Sequence, residues 1–241
     1  MGNLFSDLVL HAKCNDDTAS DVVTDSSLQA NHGTLENDNT EDVTTAGKID
    51  KAFLLDSRTT SHIVAFPDIP AYDIATELSV CLWFYHITNS GTSYFIGKFA
   101  TADREWSILH YDAHWWVGVS GNGTSWTWSS DFQTSPTPGL WYHMGFTFDN
   151  GVLKVYWDGE VSLEESMAVS SLYQGSEPIR LCPGGNNPQI QVDDVRVYKR
   201  VLSPGEFTSI YNGGNGTEFG HVVSGGGTFF DAAGWAQGVK S

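Results

Sequence analysis

QVDDVRVYKRVLSPGEF, residues 191–207, holds a strand and a helix start in one stretch. Val192, Val195, Val197 and Tyr198 read as the strand, because β-branched and aromatic residues suit a pleated surface. Ser203, Pro204 and Glu206 then supply an N-cap, a proline for the first helical position and the partner of a capping box. Phe207, Ile210 and Tyr211 give an i, i+3, i+4 apolar stripe, and Gly213 is a stop signal, so a short helix is expected at about residues 203–212. Inside the strand, Asp193 and Asp194 stand side by side. Carboxylates are depleted in strands and adjacent like charges repel, so the pair needs a physical reason. A period of two sends them to opposite faces, so at most one is expected to face the core.

The same alternation runs outward through the chain. WYHMGFTFDNGVLKVYWDGEV, residues 141–161, reads as a hairpin turning at Asp149-Asn150-Gly151. ELSVCLWFYHI (77–87) is a strong strand, followed at short intervals by SYFIGKF, WSILHYD, HWWVGVS and TSWTWSS. LVLHAKC (8–14), KAFLLD, HIVAFP and PIRLCPG complete the series. Nine Trp, 25 Gly and eight Pro in 241 residues also favour strands joined by turns. Many short strands at regular spacing predict an all-β, two-sheet antiparallel sandwich with one short C-terminal helix. Residues 1–215 form the expected domain; residues 216–241 are a Gly-rich extension with scattered aromatics, expected to serve assembly and to support a homo-oligomer.

The formal charge is −17, from 12 basic and 29 acidic residues. That balance argues against nucleic acid and anionic membranes as partners. No stretch is long enough for a membrane-spanning helix, and no signal peptide is read at the N-terminus. Cys14, Cys81 and Cys182 are odd in number and two of them sit in apolar strands, so buried free thiols are expected.

The order of these pieces resembles laminin-G-like, concanavalin A-like jelly-roll domains of the bacterial and phage type. LVLHAKCNDD followed by DSSLQANHGTL is similar to the family's first strand, acidic loop and NHGT-type turn, with Leu28-Gln29-Ala30 departing from the usual Gly-Asn-Gly. LSVCLWFYH resembles its central strand, residues 140–161 its hairpin, and VDDVRVYKRVLSPGEFTSIYNGG its closing strand and helix. The resemblance covers about residues 6–215. It implies a jelly roll of two antiparallel sheets, one concave and one convex, used for carbohydrate binding, protein binding or assembly; the fold alone implies no single function.

The resemblance also implies a structural Ca²⁺ site: Asp193 as anchor ligand, Asn15 or Asp16 from the acidic loop, and Asn31 and Gly33 through their carbonyls. Calcium takes about six to eight oxygens, which carboxylates and carbonyls supply. The alternative is that Asp193 caps backbone amides or pairs with Arg196 or Arg180.

A second candidate site is aromatic. Trp106, Trp115, Trp116, Trp126 and Trp128 crowd into neighbouring strands, with Tyr111 and His114 between. Indole rings stack on the C–H faces of sugars, but one face of each strand also packs a core. Trp115 and Trp116 must point opposite ways, and Trp126 and Trp128 share a face.

Catalytic motifs are missing. No E-x-D-x-x-E triplet occurs, Gln189-Ile190-Gln191 lacks the His of a Q-[IV]-H motif, and G-x-S-x-G, H-E-x-x-H and phosphate loops are absent. Residues 120–126, SGNGTSW, read as a turn between strands. The expectation is a non-enzymatic glycan-binding module with structural calcium. The alternative is a structural, decoration or tail-associated protein of a phage virion that contacts other virion or assembly proteins, at a virion surface or outside the cell. A polysaccharide-cleaving enzyme ranks third.

Overall fold

The computed structural model describes residues 3–56, 62–87, 91–111, 113–133, 136–183 and 189–217, with the backbone of 229–230 and 236–237. Its strands are β1 (Leu8–Ala12), β2 (Val22–Val23), β3 (Gly33–Leu35), β4 (Thr44–Ala46), β5 (Lys51–Leu55), β6 (Val64–Phe66), β7 (Glu77–Tyr85), β8 (Thr92–Ala100), β9 (Asp103–Tyr111), β10 (His114–Gly123), β11 (Thr127–Trp128), β12 (Trp141–Asp149), β13 (Val152–Trp157), β14 (Glu160–Ser166), β15 (Ile179–Leu181) and β16 (Ile190–Tyr198). The extension adds the short pair β17 (Phe229–Phe230) and β18 (Ala236–Gln237). The assembly role expected of that extension rests on residues that lie largely outside those described.

Two antiparallel sheets form the sandwich. The first runs β14-β13-β12-β7-β16-β5-β4, with β1 also on β16; the second runs β11-β10-β9-β8-β15-β6-β3-β2. Inward residues such as Val80, Leu82, Phe146 and Val197 from the first sheet, and Ile96, Ile108 and Val117 from the second, share one buried cluster. The β12–β13 turn is the expected one: Asn150 and Gly151 both have positive φ, +48° and +94°, which a two-residue turn between twisted strands requires. The three cysteines are buried free thiols.

Among the described residues there are two α-helices. The four-residue α1 (Thr40–Val43), capped by Asn39, breaks the acidic loop and was not legible in its composition. The predicted C-terminal helix is α2 (Pro204–Tyr211). Its capping box forms: Ser203 Oγ accepts from Glu206 N, and Glu206 Oε2 accepts from Ser203 N at 2.8 Å. It ends at Asn212, in the left-handed region, one residue before the expected glycine.

Helix α2 covers part of the outer face of the first sheet, so β7 and β16 are buried on both sides beneath it. Phe207 stacks on Tyr156 at 3.7 Å, and Cys81, Tyr198, Leu202 and Ile210 complete a second cluster. Gly145 lets the helix approach: a Cβ there would stand 2.7 Å from the Phe207 ring. In this outer layer His143, Trp83 and Asp193 lie opposite one another across β12, β7 and β16. Trp83 stacks on Tyr211 of the helix.

His143 is fully buried and neither ring nitrogen has a hydrogen-bond partner among the described residues. Burial pushes its pKa down to about 3, with Asp194 opposing and Arg196 assisting. The unfolded chain, titrating near 6.5, therefore binds the proton that the folded state refuses. Between pH 6.5 and about 3 this group takes stability away as the pH falls, by up to about 1.4 kcal/mol per pH unit. His143→Phe removes the titration, so the variant's melting temperature should gain on the wild type as the pH drops through that window. A constant difference across the window would refute this.

Candidate functional site: an aromatic face and a bulged carboxylate pair

The outward face of the second sheet is built by register. Tyr94, Leu109 and Trp116 stand opposite one another on β8, β9 and β10. One row along, Arg180, Gly97, Ser107, Gly118 and Trp128 continue across β15 to β11. Beyond them Phe99 faces Arg104. Gly97 and Gly118 leave space that aromatic rings fill: a Cβ on Gly118 would stand 2.5 Å from the Trp128 ring, and one on Gly97 2.7 Å from the Phe99 ring. A chain of ring contacts results, Tyr94–Phe99 at 5.1 Å, Phe99–Trp126 at 5.5 Å and Trp126–Trp128 at 5.1 Å. The Arg104 guanidinium lies 6.0 Å from the Trp126 ring centre. Tyr94, Phe99, Trp116, Trp126 and Trp128 are all half-buried, presenting part of each ring to solvent. Gly121, Asn122, Ser125, Thr127, Ser170 and Ser171 line a cavity of about 440 Å³, in which Thr127 is the sequence neighbour of Trp126 and Trp128. Asn122 Oδ1 accepts from Thr124 N and Ser125 N, both at 2.9 Å, fixing the expected turn.

Two of the five candidate tryptophans leave this set. Trp106 is 2% exposed and Trp115 0%. Trp106 pairs with inward Val119 and packs edge-on against Phe146; Trp115 packs on Phe84 at 4.6 Å and Phe95 at 4.9 Å. The pleat sends both indoles into the core, where no ligand reaches. Trp116, Trp126 and Trp128 stay on the surface.

The carboxylate pair departs from simple alternation. Asp194 has φ +48°, and between Asp193 and Arg196 the register of β16 on β7 shifts by one residue. This β-bulge turns both carboxyls into the outer layer under α2, and each is 1% exposed. It also marks where β16 exchanges neighbours, from β5 before it to β1 after it. The expectation that the two point to opposite faces is thus corrected. The bulge changes the alternation, and the helix buries the face that alternation alone would leave to water.

Asp194 is an ion-pair hub. Arg196 donates to it through Nε at 3.1 Å and through Nη2 at 2.8 Å, and His11 Nε2 lies 2.7 Å away. Burial by itself would raise the Asp194 pKa, but Arg196 and His11 outweigh it and hold the carboxyl at about 2. Arg196 Nη2 also donates to Thr217 O, tying the end of the domain to its last strand.

Asp193 is placed differently. Its Oδ2 accepts from Ile49 N at 2.7 Å, while Oδ1 is buried with no partner among the described residues. Burial pushes its pKa up to about 8. Asn15 Oδ1 accepts from Lys51 N at 3.1 Å, so Asn15 and Asp193 converge on the β4–β5 turn, and Asp16 O accepts from Thr44 Oγ1 beside it. The Asp16 carboxylate accepts from Thr24 N at 3.1 Å. Asn31 is placed at a second turn: its backbone N donates to Asp25 Oδ2 at 3.0 Å and its side chain donates to Pro67 O at 2.6 Å, while Gly33 lies in β3 of the second sheet against Phe66. The buried organiser of that turn is Asp25, which also takes His11 N and Ser27 N. Among the described residues no group of three or more His, Cys, Asp or Glu side chains is arranged to hold a metal.

Sequence reasoning missed Tyr94, Phe99 and Arg104. Tyr94 and Phe99 are five residues apart, which a period of two puts on opposite faces; irregularities at Tyr94/Ile96 and Lys98/Phe99 bring them together. The signal that could have found Arg104 is its place at a hairpin start beside an aromatic strand.

The family profile described as Concanavalin A-like lectin/glucanases superfamily matches residues 56–208. No curated protein sequence matches the chain. Among solved structures it is similar to the binding domain of botulinum neurotoxin DC in complex with rat synaptotagmin II (TM-score 0.70, 13% identity, 87% of this chain and 52% of that one). It is also similar to the binding domain of Paraclostridial Mosquitocidal Protein 1 (0.68, 17%, 87% and 53%). A third is the botulinum neurotoxin type C structure whose subject is cell entry dependent on two ganglioside molecules (0.68, 15%, 86% and 51%). The chain thus spans about half the length of these structures.

Proposed function

The chain belongs to the concanavalin A-like lectin/glucanase superfamily, and on that basis we propose that it is a non-catalytic recognition module whose outer aromatic face binds a glycan. The observation that carries this reading is the run of half-exposed rings, Tyr94–Phe99–Trp126–Trp128 with Trp116 nearby, on a protein whose surface is otherwise rich in carboxylates. Rings of this kind offer flat apolar faces to sugar C–H groups, and the serines and asparagine of the adjoining cavity offer hydrogen bonds to hydroxyls. Similar domains in which ganglioside and a protein receptor are the reported partners support a binding role. Trp126→Ala and Trp128→Ala should each abolish binding on a glycan array, with a stability cost of no more than about 2 kcal/mol because the rings are only half-buried. Retained binding in both variants would sink the reading.

A structural Ca²⁺ belongs to the same proposal. The fit is local: Asp193 Oδ1 is buried without a partner among the described residues, and Asn15 Oδ1 and Asp16 O accept bonds from the same β4–β5 hairpin. When bound, the ion would offset the desolvation of Asp193 and tie β16 to the first loop. A metal-stripped sample should then melt higher in millimolar Ca²⁺, by about 2.7 kcal/mol of added stability at one hundred times Kd, and Asp193→Ala should lose that response. Identical melting with and without Ca²⁺ would exclude it.

A second reading, adhesion to a protein within an assembly such as a virion, is favoured by Tyr85 and Trp141. These rings lie 5.6 Å apart on the outer side of the first sheet, beside exposed Leu140. Recovery of the protein in purified particles, with a silent glycan array, would favour it over the first.

A further inference from the structure

Arg104 is the exception to the charge pattern of this protein. With 29 acidic residues against 12 basic ones, arginines are expected to find carboxylates. Arg180 pairs with Glu177 at 2.8 Å, Arg196 with Asp194 at 2.8 Å and Arg200 with Glu206 at 2.7 Å. Among the described arginines, Arg104 alone has no carboxylate. Its recorded hydrogen bond runs from Nη1 to Thr124 O, leaving Nε and Nη2 without a protein acceptor among the described residues. The neighbouring Asp103 forms no ion pair with it among the described residues; its Oδ2 accepts from Ser176 N at 3.2 Å. The guanidinium is instead held among rings: opposite Phe99, over Trp126, and close enough to Tyr94 to oppose the rise that burial gives that phenol's pKa. A cation fixed over an aromatic surface and left without a counter-ion is a site for an anionic group on a ligand that stacks there.

We infer that the ligand is a saccharide carrying a single carboxylate, with its sugar ring on Trp126 and Trp128 and its carboxylate on Arg104. This rests on the glycan reading above and narrows it. A guanidinium fork matches the planar, two-oxygen geometry of a carboxylate. The protein's charge of −17 argues for one charge rather than many, because a densely sulfated or polyuronic chain would be repelled as a whole while a lone carboxylate meets the local cation. Arg104 is then the residue that sets specificity between an acidic sugar and its neutral counterpart.

The test is an array of sialic- and uronic-acid-capped oligosaccharides, each beside its carboxyl-reduced counterpart, with sulfated oligosaccharides as a third arm and affinities taken by calorimetry on the whole chain. Wild type should prefer the carboxylated member of a pair. Arg104→Gln should weaken that member by about tenfold or more, in keeping with loss of a charge-assisted hydrogen bond, and leave the reduced member unchanged. Arg104→Lys, which keeps the charge without the fork, should recover only part of the loss. Equal melting temperatures for the variants and wild type show that folding is intact. If Trp126→Ala loses binding but wild type does not distinguish the two members, the carboxylate inference is overturned and the glycan reading stands. Preference for the sulfated arm overturns the inference in the same way. If no saccharide binds at all, both fall.

Discussion

Asp194→Ala is expected to destabilise the protein by about 3–5 kcal/mol, the cost of leaving a buried charge without its partner. Arg196 would keep its guanidinium in the layer under α2, where it is 1% exposed, with no carboxylate left to balance its charge among those described as pairing with it. His11, 2% exposed, would lose the carboxylate 2.7 Å from its Nε2. The loss also reaches the bulge. Asp194 is one of eleven described non-glycine residues with positive φ, and alanine lacks the side-chain bonds that hold it there. Chemical denaturation is the measurement. A loss below about 1 kcal/mol would mean that the pair is not the hub described here, as surface ion pairs typically contribute no more than that.

Trp115→Ala should cost a similar amount, about 3–5 kcal/mol, for a different reason. Its ring fills the space between the sheets, against Phe84, Phe95 and His110 at 4.6–5.0 Å and Trp157 at 5.5 Å. Removing it leaves a cavity that the surrounding rings cannot close. Since Trp116 is its sequence neighbour on the outward face, Trp116→Ala is the internal control and should cost far less in the same denaturation experiment. Equal losses at the two positions would contradict the assigned pleat.

Much of the architecture was legible residue by residue because its causes are local. The Asp149-Asn150-Gly151 turn formed as read, since Asn and Gly tolerate positive φ where other residues do not. The box of Ser203 and Glu206 formed as read, since both halves of it lie within one helical turn. Alternation identified the long strands β7, β12 and β16, and it placed Trp115 and Trp116 on opposite faces.

The sites were less legible, and the reason is the same in each case. Alternation tells which residues share a face, but not which face is covered or where a bulge resets the count. Helix α2 buries part of the outer face of the first sheet, and there Asp194, Arg196 and Cys81 are as buried as the true inter-sheet core. The shift at Asp194 puts two consecutive carboxyls in one layer, and the irregularities in β8 bring Tyr94 and Phe99 onto one surface. The chain by itself determined the strands, the turns, the helix and the acidic balance, because each depends on neighbours in sequence. Which tryptophans face water, what Asp194 binds, and which arginine lacks a carboxylate were decided only by tertiary structure, because each depends on side chains brought together from distant positions, as His11 and Asp194 are.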